Sequence, residues 1–191
     1  MKYSPRFAES LSYAAQLHAD QIRKGTGIPY ISHLLSVAAL VIENGGDEDQ
    51  AIAALLHDAV EDQGGIPRLD EIRLRFGGNV ADIVDGCTDA YQIPKPPWRQ
   101  RKENYLEHLR KVQPNVHLVS LADKVHNARS LNIGLRQHGH AMWNNFNGGK
   151  EGTIWYYEML LKVFQEIHPG SLTEELAHLV KEMKLLAEEP T

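Results

Sequence analysis

Residues 51–62, AIAALLHDAVED, constrain the fold more than any other stretch, because they read as a helix with two unlike sides. At about 100° per residue, His57, Asp58, Glu61 and Asp62 fall within an arc of about 140°, while Ile52, Leu55, Leu56, Ala59 and Val60 cover the opposite side. The apolar side requires a core to pack against. The polar side is either a solvated face, the ordinary state of an acidic run at a helix end, or a site. A histidine beside an aspartate offers imidazole nitrogen and carboxylate oxygen at adjacent positions, a pairing suited to a divalent cation of intermediate softness. A second acidic pair one turn later can orient water. Spacing within this stretch leaves both readings open.

The rest of the chain repeats the helical period. Ser4 and Pro5 form a helix start, an N-cap followed by a residue whose missing N–H costs nothing there. Phe7, Leu11, Ala14, Ala15, Leu17 and Ile22 then recur at helical spacing, and Gly25 and Gly27 are expected to stop the helix just after Arg23 and Lys24. Those two cations either complement the helix dipole or face an anionic ligand. Tyr30 opens a second helix, with His33 near its start and Gly45 and Gly46 as terminator. A third starts at Asp47, with Gln50 completing a capping box, and runs into residues 51–62. The short connection predicts an antiparallel pair that sets His33 opposite His57. A lone histidine among apolar residues otherwise reads as part of the core.

Beyond Gly64 and Gly65 come two shorter amphipathic pieces, LDEIRLRFGG and NVADIVDGCTD, and a Pro-rich turn at 93–97. Residues 98–112 read as a helix carrying Arg99, Arg101, Lys102, Arg110 and Lys111, a solvated face or a basic rim that draws in anions. Pro114 and Asn115 start VHLVSLADKVHNARSL, whose Asp123 lies among Val119, Leu121, Ala122 and Val125. An unpaired aspartate is costly to bury; a metal or a salt bridge to an arginine removes that cost. Asn127 and Ser130 share its face, with Lys124 alongside. Residues 136–152 read as a long loop, in which His138 and His140 lack nearby carboxylate or thiolate partners. Helices at 153–167, with Trp155, Tyr156 and Tyr157, and at 172–188, capped by Ser171 and Glu174, close the chain.

No βα alternation, internal repeat, P-loop or GxGxxG is visible, and 191 residues with 42% hydrophobic content fit one globular domain. The expectation is an all-α, single-domain bundle of about eight or nine helices over residues 1–191, with a motif-bearing core at 4–167 and a final helix at 171–188. A net charge of −5 disfavours a nucleic-acid partner, whose backbone needs a basic surface. Cys87 is the sole cysteine, so no internal disulfide forms. With no apolar run of about 18 residues and no signal-peptide core at the N-terminus, a cytoplasmic protein free of the membrane is expected.

His33, the pair His57 and Asp58, and a distant Asp123 on a helix resemble the H…HD…D pattern of the HD-domain metal-dependent phosphohydrolases. More specifically, HADQIRKGTGIPYISH, LLHDAVED and VSLADKVHN are similar to three motifs of the hydrolase domain of RelA/SpoT-type proteins, in order from about His18 to Tyr157. FNGGKEGTIWYY looks like the form found in stand-alone small alarmone hydrolases. The chain also ends where a synthetase domain begins in the long bifunctional enzymes, so hydrolysis without synthesis is expected.

The resemblance implies that His33, His57, Asp58 and Asp123 hold one divalent metal ion, usually Mn²⁺ in this family. It implies that Glu61 and Asp62 position and deprotonate the attacking water, and that Arg23, Lys24, Lys124, Asn127 and Ser130, with Tyr156 as a looser match, surround the nucleotide. The family reaction removes the 3′-pyrophosphate of ppGpp or pppGpp, a small-molecule substrate. Two other readings remain: an HD-type phosphatase acting on a deoxynucleoside monophosphate or the 2′-phosphate of NADPH, and a non-catalytic nucleotide-binding module. The acidic pair together with Arg23 and Lys24 favours the first reading, and four intact ligand positions oppose the last.

Overall fold

The computed structural model describes residues 3–89, 91 and 96–189. Most of the expected Pro-rich turn, residues 93–95, lies outside them. Among the described residues the architecture is all-α, with ten α-helices: α1 (Pro5–Leu17), α2 (Ile31–Glu43), α3 (Glu48–Leu56), α4 (Ala59–Gln63), α5 (Gly65–Phe76), α6 (Gly78–Cys87), α7 (Trp98–Leu109), α8 (Pro114–His138), α9 (Gly149–Ile167) and α10 (Ser171–Glu188). These are the expected segments, with the third divided in two at His57 and Asp58. No helix among the described residues is long and apolar enough to cross a membrane.

The long helix α8 packs on α10, α2, α3 and α6, and α3 is enclosed by α1, α2, α6 and α8. Enclosure explains why every residue of α3 from Ala51 to Leu56 is buried. Alanines at 51, 53 and 54 let neighbouring helices approach closely, while Ile52, Leu55 and Leu56 fill the space between them. One hydrophobic cluster runs from Tyr13 on α1 to Ala187 on α10. The predicted cap on α3 forms as a reciprocal pair: the Gln50 backbone N–H donates to Asp47 Oδ1 at 2.8 Å, and the Asp47 backbone N–H donates to Gln50 Oε1 at 3.1 Å. At Ser171 the expected box does not form. Ser171 is the first helical residue, its side chain meets Asn44 at 3.3 Å, and Gly170 takes the cap position.

Two further expectations are corrected. Helix α1 ends at Leu17 rather than at Lys24, and residues 18–30 fold back on themselves. Arg23 N–H donates to Ile28 O at 2.7 Å and Tyr30 N–H to Gln21 O at 2.9 Å, around an antiparallel bridge between Ile22 and Pro29. Gly25 is left-handed at φ +79°, and a Cβ there would stand 2.6 Å from the Asn145 amide, so this turn excludes larger residues. Arg23 and Lys24 therefore sit in a turn, and the helix-dipole explanation for them falls away. Residues 136–152 are not a long loop: α8 continues to His138, a 3-10 segment covers Gly139–Asn145, and α9 begins at Gly149. Met142 and Trp143 are buried there, and Gly134 on α8 makes room for the Met142 thioether, which a Cβ would meet at 2.8 Å.

Candidate active site

Three helices converge on one point. Helix α2 supplies His33 from its first turn; the break between α3 and α4 supplies His57 and Asp58; the middle of α8 supplies Asp123. His33 Nε2 stands 3.4 Å from Asp58 Oδ2 and 3.2 Å from Asp123 Oδ1, and His57 Nε2 stands 3.1 and 3.6 Å from the same two oxygens. Donors each about 2.0–2.2 Å from a common ion lie roughly 3–3.5 Å apart, close to the 3.1–3.6 Å of these four imidazole–carboxylate pairs. Among the described residues, ligand atoms of His33, His57 and Asp58 all lie within 4.8 Å of one another.

The chemistry of these donors also fits a divalent metal. Both Nε2 atoms are buried and lack a hydrogen-bond partner of proper geometry, a state that buried nitrogens rarely tolerate. His57 Nδ1–H donates to Ala54 O at 2.8 Å, which leaves the lone pair of the neutral ring on Nε2. Burial pushes the His57 imidazole toward its neutral form, but the Asp58 and Asp123 carboxylates outweigh it and raise its pKa well above the usual range. Burial would raise Asp58, yet His57 and His33 hold it well below the ordinary carboxylate range. Asp123 is likewise raised by burial and brought well below by Lys124 and the two imidazoles. Two carboxylates held ionised against two imidazoles form a charge pattern that a dication balances.

A surrounding layer holds these groups in place. Tyr30 O–H donates to Asp58 Oδ2 at 2.7 Å, and its ring stacks on His18 at 5.4 Å. His33 Nδ1 lies 2.7 Å from His126 Nδ1; a His33 that donates here keeps its lone pair on Nε2. Burial, with His33 and Arg23 nearby, lowers His126 to about 4, so it remains neutral and able to accept. Asp123 receives Lys124 Nζ at 2.6 Å and the Asn127 amide. The Asn127 carbonyl in turn accepts from Arg23 Nη2 at 2.7 Å.

The structure thus brings Arg23, Lys124 and Asn127 beside the cluster. Glu61 and Asp62 lie on α4, one turn beyond Asp58, and Asp62 Oδ2 accepts from the Gln21 amide at 2.7 Å. Tyr156 is buried on α9, with the Lys102 ammonium 5.1 Å from its ring centre. Lys24 is exposed next to Arg23, and Ser130 is half-buried two turns along α8 from Asp123. Sequence reasoning missed Tyr30, His126 and Gln21 as partners of the site. Only their presence inside the quoted motifs marked them, since nothing in helical spacing says that His126, three residues after Asp123, turns toward His33.

An all-α bundle with paired histidines and aspartates at one buried point defines a metal-centred hydrolase class, and the HD-domain profile matches residues 10–154. The chain belongs to the HD-domain family. Within it, the chain is 41% identical over 126 residues to a Xenopus tropicalis protein named guanosine-3′,5′-bis(diphosphate) 3′-pyrophosphohydrolase MESH1, a match spanning 64% of this chain and 68% of that one. The human protein of the same name is 40% identical over 127 residues, spanning 65% and 68%. The fold superposes with TM-score 0.77 and 25% identity on a solved structure described as a metazoan ortholog of SpoT that hydrolyzes ppGpp, covering 97% of this chain and 99% of that one. A Listeria monocytogenes structure, lmo0812, gives TM-score 0.70 at 29% identity, covering 82% and 99%.

Proposed function

We propose that this chain is a metal-dependent guanosine-3′,5′-bis(diphosphate) 3′-pyrophosphohydrolase that converts ppGpp or pppGpp and water into GDP or GTP and pyrophosphate. The observation that carries the reading is the convergence of His33, His57, Asp58 and Asp123 on one point, with an acidic pair one turn away and a cationic side facing them. The relatives named above carry that activity in their names. One hydrophobic cluster spanning α1 to α10 supports the whole chain acting as one hydrolase domain, and the cytoplasm is its proposed place, in keeping with the lack, among the described residues, of a helix long and apolar enough to cross a membrane.

In this reading the four residues hold one Mn²⁺. When bound, that ion offsets oxygen charge at the reacting phosphorus and lowers the pKa of water. The chain's own groups do the rest. Glu61 or Asp62 accepts the proton of the attacking water, whose oxygen bonds the phosphorus attached to O3′. The P–O3′ bond breaks and O3′ takes up a proton. Gln21 holds Asp62 in place through its 2.7 Å amide bond, and the guanidinium of Arg23 is oriented by Asn127. Arg23, with Lys24 and Lys124, offsets phosphate charge, while Ser130 and Tyr156 line the nucleotide.

The test is a substrate panel with the purified Mn²⁺ protein: ppGpp, pppGpp, NADPH and deoxynucleoside monophosphates. Pyrophosphate release from the first two is expected. Orthophosphate release from the others, with ppGpp untouched, would replace this reading by a nucleotide phosphatase, and no turnover at all by a binding module.

A further inference from the structure

The cations of α7 fit a solvated face or a basic rim that draws in anions, and part of the helix turns inward. Arg101 Nη1 donates to both oxygens of Asp89 at 2.8 and 2.7 Å, and Lys102 Nζ donates to Oδ2 at 2.7 Å. The three side chains are 11%, 18% and 8% exposed. Lys124, on α8, interacts electrostatically with both Asp89 and Lys102. Burial together with the Lys124 ammonium lowers Lys102 below the usual amine range in spite of its bond to Asp89.

Positive charge is therefore in surplus. Arg101, Lys102 and Lys124 share Asp89 and Asp123, and Asp123 is also a member of the metal set. Two buried polar atoms here have no hydrogen-bond partner among the described residues: Arg101 Nε and the Tyr156 hydroxyl. The Tyr156 ring lies 5.1 Å from the Lys102 ammonium, and its phenol feels Lys124, Asp89 and Asp123. Through Lys102 its ring adjoins the ion cluster. A purely structural ion pair accounts for neither the surplus cations nor the orphaned donors, because buried polar groups are ordinarily satisfied.

We propose that Arg101 and Lys102, with Lys124 and the Tyr156 hydroxyl, form a second phosphate subsite beside the metal cluster, and that Asp89 occupies it as an internal carboxylate until a phosphoryl group displaces it. The inference rests on the nucleotide reading given above. A guanidinium and an ammonium that hold a carboxylate suit a phosphate equally well, since both anions accept charge-assisted hydrogen bonds. The phosphoryl group is one not under attack, from the 5′ chain or from the departing pyrophosphate.

Calorimetric binding of GDP and of inorganic pyrophosphate at saturating Mn²⁺ tests this and separates the two sources. Lys102→Gln leaves Arg101 on Asp89 and should weaken one of the two products about tenfold or more, the loss of one charge-assisted contact. Asp89→Asn should tighten that same product several-fold, because it removes the competing carboxylate. The product affected names the source. Should Arg101→Gln fail to fold with Asp89 left underpaired, the double variant Asp89→Asn with Arg101→Gln removes both charges and should weaken binding relative to Asp89→Asn alone. If Asp89→Asn only lowers the melting temperature, and Lys102→Gln binds both products like the parent, the cluster is a structural ion pair and the subsite is wrong. Hydrolysis of ppGpp by the parent in that case leaves the substrate reading standing. Opposite shifts in the two variants of a parent that ignores ppGpp keep the subsite and remove that reading.

Discussion

Replacing Tyr30 by phenylalanine removes one oxygen and little else. The lost group donates at 2.7 Å to Asp58 Oδ2, the same carboxylate oxygen that faces His33 Nε2 at 3.4 Å and His57 Nε2 at 3.1 Å. Burial, and then the Asp58 carboxylate, raise the Tyr30 phenol far above its usual range, so it is a donor at every working pH. The phenyl ring retains the stacking on His18 at 5.4 Å and the Arg23 guanidinium 5.5 Å from its centre. Packing is therefore held constant while the orientation of one metal ligand is released. A hydrogen bond to a charged group contributes about 1.5–3 kcal/mol. Groups that orient metal ligands typically contribute 10- to 100-fold in metal affinity, about 1.4–2.7 kcal/mol, which agrees. Titrating metal-stripped Tyr30→Phe with Mn²⁺ by calorimetry should show a dissociation constant raised about 10- to 100-fold, with the metal-free melting temperature little changed. A Kd within about twofold of the parent's, far below that expectation, would show that the ring rather than the hydroxyl holds Asp58, and would refute the reasoning.

Asp58→Ala should abolish stoichiometric Mn²⁺ binding, whereas Glu61→Gln should keep the ion and lose turnover; an ion count per chain decides it, and equal loss of metal in both variants makes Glu61 a ligand or a fold requirement. Arg23→Ala should lower kcat/KM for ppGpp roughly tenfold to a hundredfold, the effect of one charge-assisted contact, with metal content and melting temperature near the parent's. Unchanged kinetics would remove Arg23 from phosphate binding. His117 is depressed below its usual range by burial, against the bond to the Leu109 carbonyl. Unfolding therefore takes up a proton, so the stability it contributes is present above the unfolded value of about 6.5 and is lost as pH falls through and below it. Melting temperatures from pH 7.5 to 5 should fall in the parent and fall less in His117→Gln, and parallel curves would assign the acid sensitivity to other groups.

Local periodicity alone determined the helices, the apolar and polar sides of residues 51–62, the Asp47–Gln50 cap and the adjacency of His57 and Asp58, because each depends on neighbours within one or two turns. The short link between α2 and α3 was enough to foresee His33 opposite His57. Where the chain departs from a simple period, sequence reading failed: Arg23 lies in a folded-back turn, because backbone bonds such as Tyr30 N–H to Gln21 O replace those of a longer α1. The apolar Met142 and Trp143 draw a Gly- and Asn-rich segment into the core. Contacts between distant elements were decided only by how the helices pack. Asp123 reaches the histidines, His126 meets His33 at 2.7 Å across α8 and α2, and Asp89, two residues past α6, meets Arg101 and Lys102 on α7. No period within a helix encodes which face of another helix it meets; the interlocking of buried side chains does, and it alone turned Arg101 and Lys102 of α7 inward into a buried ion cluster.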